Sequence, residues 1–307
     1  MGKSYEEVWR GLTGGQQEAL QRKLWLAAGG QDTGEEGLAT ILRDEQKITL
    51  VDAIVKLADK RGRCIPIPGM RGRVVDANRN FRLGHLEIST VGILYNLRQF
   101  FAPEMKFPSE AEFARRVADL IALAEKDKQT KNLLKGAYWP LCFPQLAVVD
   151  YGRSLEEIFL PAVKRSYEAA FPGRNFKNYR ADELVEQVTV AAGTRHEMLL
   201  AKMAEGPVVG LWFANPLQGF GIHADREQIA AFPESFILSG AIDTATAMVA
   251  DPQTLCRSYK TPSYVCAANV WYHNSSPYFR ADDDKLYFSV GVIDASDFSS
   301  GGLLFLG

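Results

Sequence analysis

The chain has 307 residues, a formal charge of −2, 47% hydrophobic residues and 23% charged residues. This composition excludes long disorder, and the length allows one large or two moderate domains with their own core. No apolar run nears the roughly 20 residues that span a bilayer, and Met1–Glu7 holds no signal-peptide apolar segment, so we expect a soluble, cytoplasmic protein with no membrane partner.

The first half reads as helices with clear start signals. Ser4 with Glu7, Thr33 with Glu36 and Ser109 with Glu112 each form a capping box, and Thr49 precedes a fourth helical stripe. These predict helices at Ser4–Leu12, at Thr33–Leu42, from Thr49 through Leu57 and Ala58 towards Gly62, and from Ser109 with Phe113, Val117, Leu120, Ile121 and Ala124 on one face. Between Gly62 and Thr90 the pattern breaks into a Pro- and Gly-rich excursion, with a short strand expected at Arg73–Asp76.

The second half alternates. Ser154 and Glu157 predict a helix start, with a kink or break at Pro161. Helices are expected at 181–191 and 195–204, the latter opened by Thr194 and Glu197. A buried strand follows at Val208–Ala214, ending at Asn215-Pro216, then a helix around 224–231 and an apolar run at Phe236–Leu238. In the tail, three strands are expected within Tyr264–Tyr272, Leu286–Ile293 and Leu303–Leu306, with turns at His273–Pro277 and at Asp282–Asp284. The fold class is therefore α+β or α/β, a helical N-terminal region packed on a mixed sheet with antiparallel strands at the C-terminus. Residues 1–135 balance at +4 and residues 136–307 at −6, which supports a mainly helical region over 1–135, with an irregular loop at 61–90, and an α/β region over 136–307.

The four cysteines (Cys64, Cys142, Cys256 and Cys266) show no metal-binding or disulfide-framework spacing and read as buried thiols. The strongest local signal is Arg61, Arg63, Arg71, Arg73, Arg79 and Arg82, with Asp76 as the one acid and no lysine, a local balance of +5. A guanidinium holds a planar fork of donors that matches paired carboxylate or phosphate oxygens, so this loop suits an acidic protein surface, a phosphate ligand or a nucleic acid. The competing reading is that these arginines pair with acids of neighbouring helices and stitch the loop down.

His223 and Asp225 follow a predicted strand and open a predicted helix, a place where α/β proteins put acid–base or metal-binding groups. They also fit a plain helix N-terminus, where Asp225 favours the helix dipole. His85, His196 and His273 have no metal-ligand spacing, and no metal or other cofactor is expected. The Asp282–Asp284 run reads as a turn rather than a cation site. No P-loop, GxGxxG or GxSxG pattern occurs. Aromatic residues thicken towards the end, from Tyr259 to Phe288, where they suit a core or, on an open sheet face, base stacking; the acidic balance of that half weighs against nucleic acid there.

Three functions stand as expectations. The first is a binding or assembly protein that docks an anionic partner on the Arg-rich loop. The second is a hydrolase-like enzyme with a His223/Asp225 site at strand ends. The third is a structural subunit of an oligomer.

Overall fold

The computed structural model describes residues 56–78, 80–81, 83, 89–272, 275–292 and 294–307, all within the unit Ile54–Gly307. The helices expected at Ser4–Leu12, at Thr33–Leu42 and from Thr49 to residue 55 lie outside these residues, as do Arg79, Arg82, His85 and His273. Leu57 and Ala58 were expected to continue the third helix. They are extended instead, because Ala58 bridges Cys64 and the Ile65 amide donates to the Leu57 carbonyl at 2.9 Å.

Helix α1 (Thr90–Phe100) starts at Ser89, whose Oγ accepts the Gly92 amide at 3.2 Å. Helix α2 (Glu110–Lys126) starts where its sequence says, with Ser109 Oγ accepting the Glu112 amide at 3.2 Å. Its stripe of Phe113, Val117, Leu120 and Ala124 is buried. A 3-10 turn (Lys131–Lys135) then leads into β1 (Tyr138–Phe143).

The next rod is α3 (Tyr151–Ser154), a π turn (Leu155–Phe159) and α4 (Leu160–Ala170). Its cap is Asp150, which accepts the Arg153 amide, rather than Ser154, whose hydroxyl bonds back to the Asp150 carbonyl at 2.9 Å. Pro161 does not break the rod. It sits in the first turn of α4, just after the wider π turn, whose Leu160 amide reaches the Leu155 carbonyl five residues back; the widening absorbs the missing proline N–H.

Strands β2 (Asn175–Asn178) and β3 (Val188–Val190) follow. The helix expected at 181–191 is absent. Asp182 and Glu186 adopt φ of 65° and 61°, which a right-handed helix cannot contain, and the Glu186 amide is taken by the Asp150 carboxylate at 2.9 Å. Helix α5 (Glu197–Glu205) forms as expected but without the Thr194 cap, because Thr194 Oγ1 donates to the Ala191 carbonyl at 2.7 Å.

Strand β4 (Val208–Gln218) runs through Asn215-Pro216 instead of ending there. The proline falls where β10 (Ser299–Phe305) bulges between Gly301 and Leu303, so its missing N–H costs no ladder bond. Then come α6 (Ile222–Ile229), β5 (Phe236–Leu238), α7 (Ala241–Ala250) and α8 (Pro252–Leu255). The tail before β10 holds β6 (Ser263–Val265), β7 (Asn269–Trp271), β8 (Ser276–Ala281) and β9 (Lys285–Gly291), so Ser276-Pro277 opens a strand where the sequence predicts a turn. Asp282–Asp284 does form the β8–β9 turn.

The main sheet has the order β1-β4-β10-β6-β8-β9-β2, with β5 also paired to β10. It is mixed: β10 runs parallel to β6 and antiparallel to β4 and β5, and β2 runs parallel to β9. Strands β3 and β7 make a second, small antiparallel sheet. Helices and a mixed sheet in this arrangement make an α+β fold. The last strand lies inside the sheet, and α7, buried along its whole length, packs on β1, α1 and α4. Among the described residues no helix is long and apolar enough to cross a membrane.

Candidate functional site

Residues 57–78 form an extended strap laid over the corner where β4 turns into α6. Backbone bonds hold it down: Cys64 N–H donates to the Pro216 carbonyl at 2.7 Å, Val75 N–H to Gly219 at 2.9 Å, and Gly221 N–H returns to Arg73 at 3.0 Å. The strand expected at Arg73–Asp76 is reduced to a single bridge between Val74 and Phe220. From α6, the Gln228 side-chain amide clamps both sides of the strap, accepting Ile67 N–H at 3.1 Å and donating to the Ile65 carbonyl at 3.0 Å. Gly72 lies so close to α6 that a Cβ there would collide with the Ala224 amide nitrogen. Gly219, at φ +90°, supplies the left-handed turn under Val75.

With the backbone fixed inward, Arg61, Arg71 and Arg73 point outward, whereas Arg63 folds back on the strap. Arg61 is exposed, and no carboxylate pairs with its side chain among the described residues. Arg63 is half-buried and donates to the Ala77 carbonyl at 2.6 Å, tying the strap to itself. Arg71 is 89% exposed and sits 3.7 Å from Glu227. Arg73 is 67% exposed and bonds Asp294 at 2.6 Å. Ion pairs this open are worth about 0–1 kcal/mol, so an anion can take over either guanidinium at little cost.

No family model, no curated protein and no solved structure matches the chain.

His223 and Asp225 do not meet. They lie two residues apart on α6, about 200° around its axis. His223 is exposed, and Asp225 is fully buried. Neither carboxylate oxygen of Asp225 has a hydrogen-bond partner, and a Cβ added to Gly301 would stand 2.5 Å from its Oδ2. Burial drives this carboxyl group well above the usual carboxylate range, against the smaller pull of Arg226.

Sequence reasoning missed a buried polar centre at the start of α7. Tyr151, from α3, accepts the Ile242 amide at 3.0 Å, and Asn269 Oδ1, from β7, accepts the Ala241 amide at 2.7 Å. Asp243 reaches back to the Gly240 amide at 2.7 Å and accepts Ser239 Oγ at 2.6 Å; Ser239 in turn accepts Trp212 Nε1 at 2.8 Å. His196 completes the cage, with Nε2 3.1 Å from the Tyr151 hydroxyl and Nδ1 3.2 Å from the Leu238 carbonyl. Desolvation lowers the His196 pKa to about 4 and raises that of Asp243 to about 7.

These groups resemble catalytic residues in type only. The Gly240, Ala241 and Ile242 amides each have a side-chain acceptor, and the residues are buried. The centre anchors an apolar helix by satisfying its orphan N-terminal amides. No local motif could have announced it, because Tyr151, His196 and Asn269 come from three distant segments. The four cysteines are likewise buried and free, and burial raises each thiol pKa, so none is poised as a thiolate.

Proposed function

We propose that the chain is a binding or assembly protein that docks an anionic partner on the arginine strap. One observation carries the reading: Arg71 and Arg73 stand 89% and 67% exposed on a backbone already bonded to β4 and α6. Cations on a pre-ordered backbone bind without the cost of ordering a loop, and a guanidinium offers paired donors to carboxylate or phosphate oxygens. Arg61, on the same strap, adds an exposed cation with no carboxylate partner among the described residues.

The test is titration of the full chain with poly-glutamate at several salt concentrations. Binding is expected to weaken steeply as salt rises, since each neutralised charge releases counterions. The triple variant Arg61→Ala, Arg71→Ala, Arg73→Ala should lose most of the affinity while keeping its unfolding midpoint. Undiminished affinity in that variant would remove the strap as the docking element.

A further inference from the structure

Strand β9 alternates along its whole length, and β8 alternates from Tyr278 to Arg280. Phe279, Leu286 and Phe288 are fully buried on the core side, which places Tyr278, Arg280, Tyr287 and Ser289 on the opposite face. Register confirms the shared face: Arg280 stands opposite Tyr287, Tyr278 opposite Ser289, and Lys177 of β2 opposite Tyr287 on its other side. Three tyrosines form a row across the strands, Tyr287 lying 6.0 Å from Tyr278 and 5.3 Å from Tyr179, both edge-to-face. Lys177 Nζ lies 4.5 Å over the Tyr179 ring, and Tyr179 is 43% exposed.

The row runs into a groove of about 420 Å³ whose lining includes Tyr278, Arg280, Val292, Asp294 and Phe298. Val292 and Phe298 stand 75% and 55% exposed in it and offer apolar surface beside the row. Asp294 is the residue that holds Arg73, so the groove and the arginine strap are one continuous surface. Lys177, Arg280 and Lys285 are cations on this face, Arg280 and Lys285 in partly exposed pairs with Asp282 at 3.1 Å and Asp284 at 3.8 Å; these three match the three acids of the Asp282–Asp284 turn, so the acidic balance of residues 136–307 is offset at the row.

We propose that the strap's partner is a single-stranded nucleic acid, its phosphates held by Arg61, Arg71 and Arg73 and its bases packed on the row of Tyr278, Tyr287 and Tyr179. This rests on the strap being an anion-docking element. An acidic protein surface would use the guanidiniums but has no need of an aromatic row beside them. A duplex hides its base faces, whereas a single strand presents flat rings and phosphates along one path, the two chemistries this surface holds together.

Fluorescein-labelled oligo-dT and oligo-U, titrated into the full chain and followed by anisotropy, test the proposal, with poly-glutamate titrated in parallel. Both oligonucleotides should bind at low salt. Tyr287→Ala and Tyr179→Ala should each weaken oligonucleotide binding about tenfold or more and leave poly-glutamate binding unchanged. Tyr287→Phe keeps the ring and should bind as the parent does, which guards against a variant that merely unfolds. The pair Arg71→Ala, Arg73→Ala should weaken both ligands. Poly-glutamate binding without oligonucleotide binding would overturn the nucleic-acid proposal in favour of an acidic protein while leaving the strap reading intact. Oligonucleotide binding indifferent to the tyrosines would overturn the stacking row. Failure of both ligands to bind would bring down the strap reading and this proposal together.

Discussion

Replacing His196 by glutamine should change how the stability of this protein responds to acid. His196 is fully buried, with its two ring nitrogens facing the Tyr151 hydroxyl and the Leu238 carbonyl. The carbonyl accepts only, so Nδ1 carries the proton and Nε2 accepts from Tyr151. A second proton on Nε2 would confront that hydroxyl, which already accepts the Ile242 amide. Burial accordingly lowers the pKa from 6.5 to about 4. Because the folded pKa is depressed, the unfolded chain takes up a proton first as pH falls. The stability contributed by neutral His196 is complete above about pH 6.5 and is lost on descent towards pH 4. The drop from 6.5 to about 4 makes the full loss roughly 3 kcal/mol, of which about 2 kcal/mol falls between about pH 6.5 and 4.5. Asp225 and Asp243 act with the opposite sign, since their folded pKa values are raised, so the parent's own pH profile mixes the terms. The difference between parent and variant isolates the histidine. Urea unfolding followed by tryptophan fluorescence should show His196→Gln costing about 1–3 kcal/mol near pH 7.5, for the broken bonds to Tyr151 and Leu238. Near pH 4.5 that deficit should shrink by about 2–3 kcal/mol, to parity or a small advantage. A deficit of equal size at both pH values would refute the assignment of a buried neutral imidazole.

Asp225→Asn should stabilise the protein at neutral pH and leave it unchanged near pH 4. The raised folded pKa means that the carboxyl group's stability is fully present below 3.8 and is eroded as pH rises through the folded value, by at most ~1.4 kcal/mol per unit; thermal unfolding across pH reads the difference. Gly72→Ala should detach the strap from α6 without unfolding the sheet, because its Cβ would strike the Ala224 amide; amide exchange should quicken at Cys64 and Val75 while β4 and β10 keep their protection.

Local chemistry was legible where one segment carried its own signal. Ser109 and Glu112 with an apolar stripe marked α2, and the apolar run at Val208 marked β4. Signals failed where a distant partner decided. Residues 181–191 contain helix formers, yet the Asp150 carboxylate claims the Glu186 amide and two residues turn left-handed. Ala241–Ala250 has no polar face to give a helical period, because all ten residues are buried. The arginine cluster was visible as charge, but its partners Glu227 and Asp294 lie 156 and 221 residues away from Arg71 and Arg73. The row of Tyr278, Tyr287 and Tyr179 depended on the pairing of β8, β9 and β2, which strand alternation alone cannot assign.

The strap also shows why an irregular segment can present charge as firmly as a helix does. Fixing a residue's backbone costs about 1–2 kcal/mol, and a free loop would owe that cost on binding. Here folding has already met it, through the Pro216, Gly219 and Gln228 anchors, so only side-chain rotamers remain to be ordered. Lysine would fill the same outward positions with the same charge. Arginine adds a planar fork that can keep one N–H on Asp294 or Glu227 while offering others outward, so the resting ion pairs hold the guanidiniums in place rather than consuming them. Exposed ion pairs at Arg71 and Arg73 are thus compatible with docking at the same groups, where buried bidentate pairs would not be.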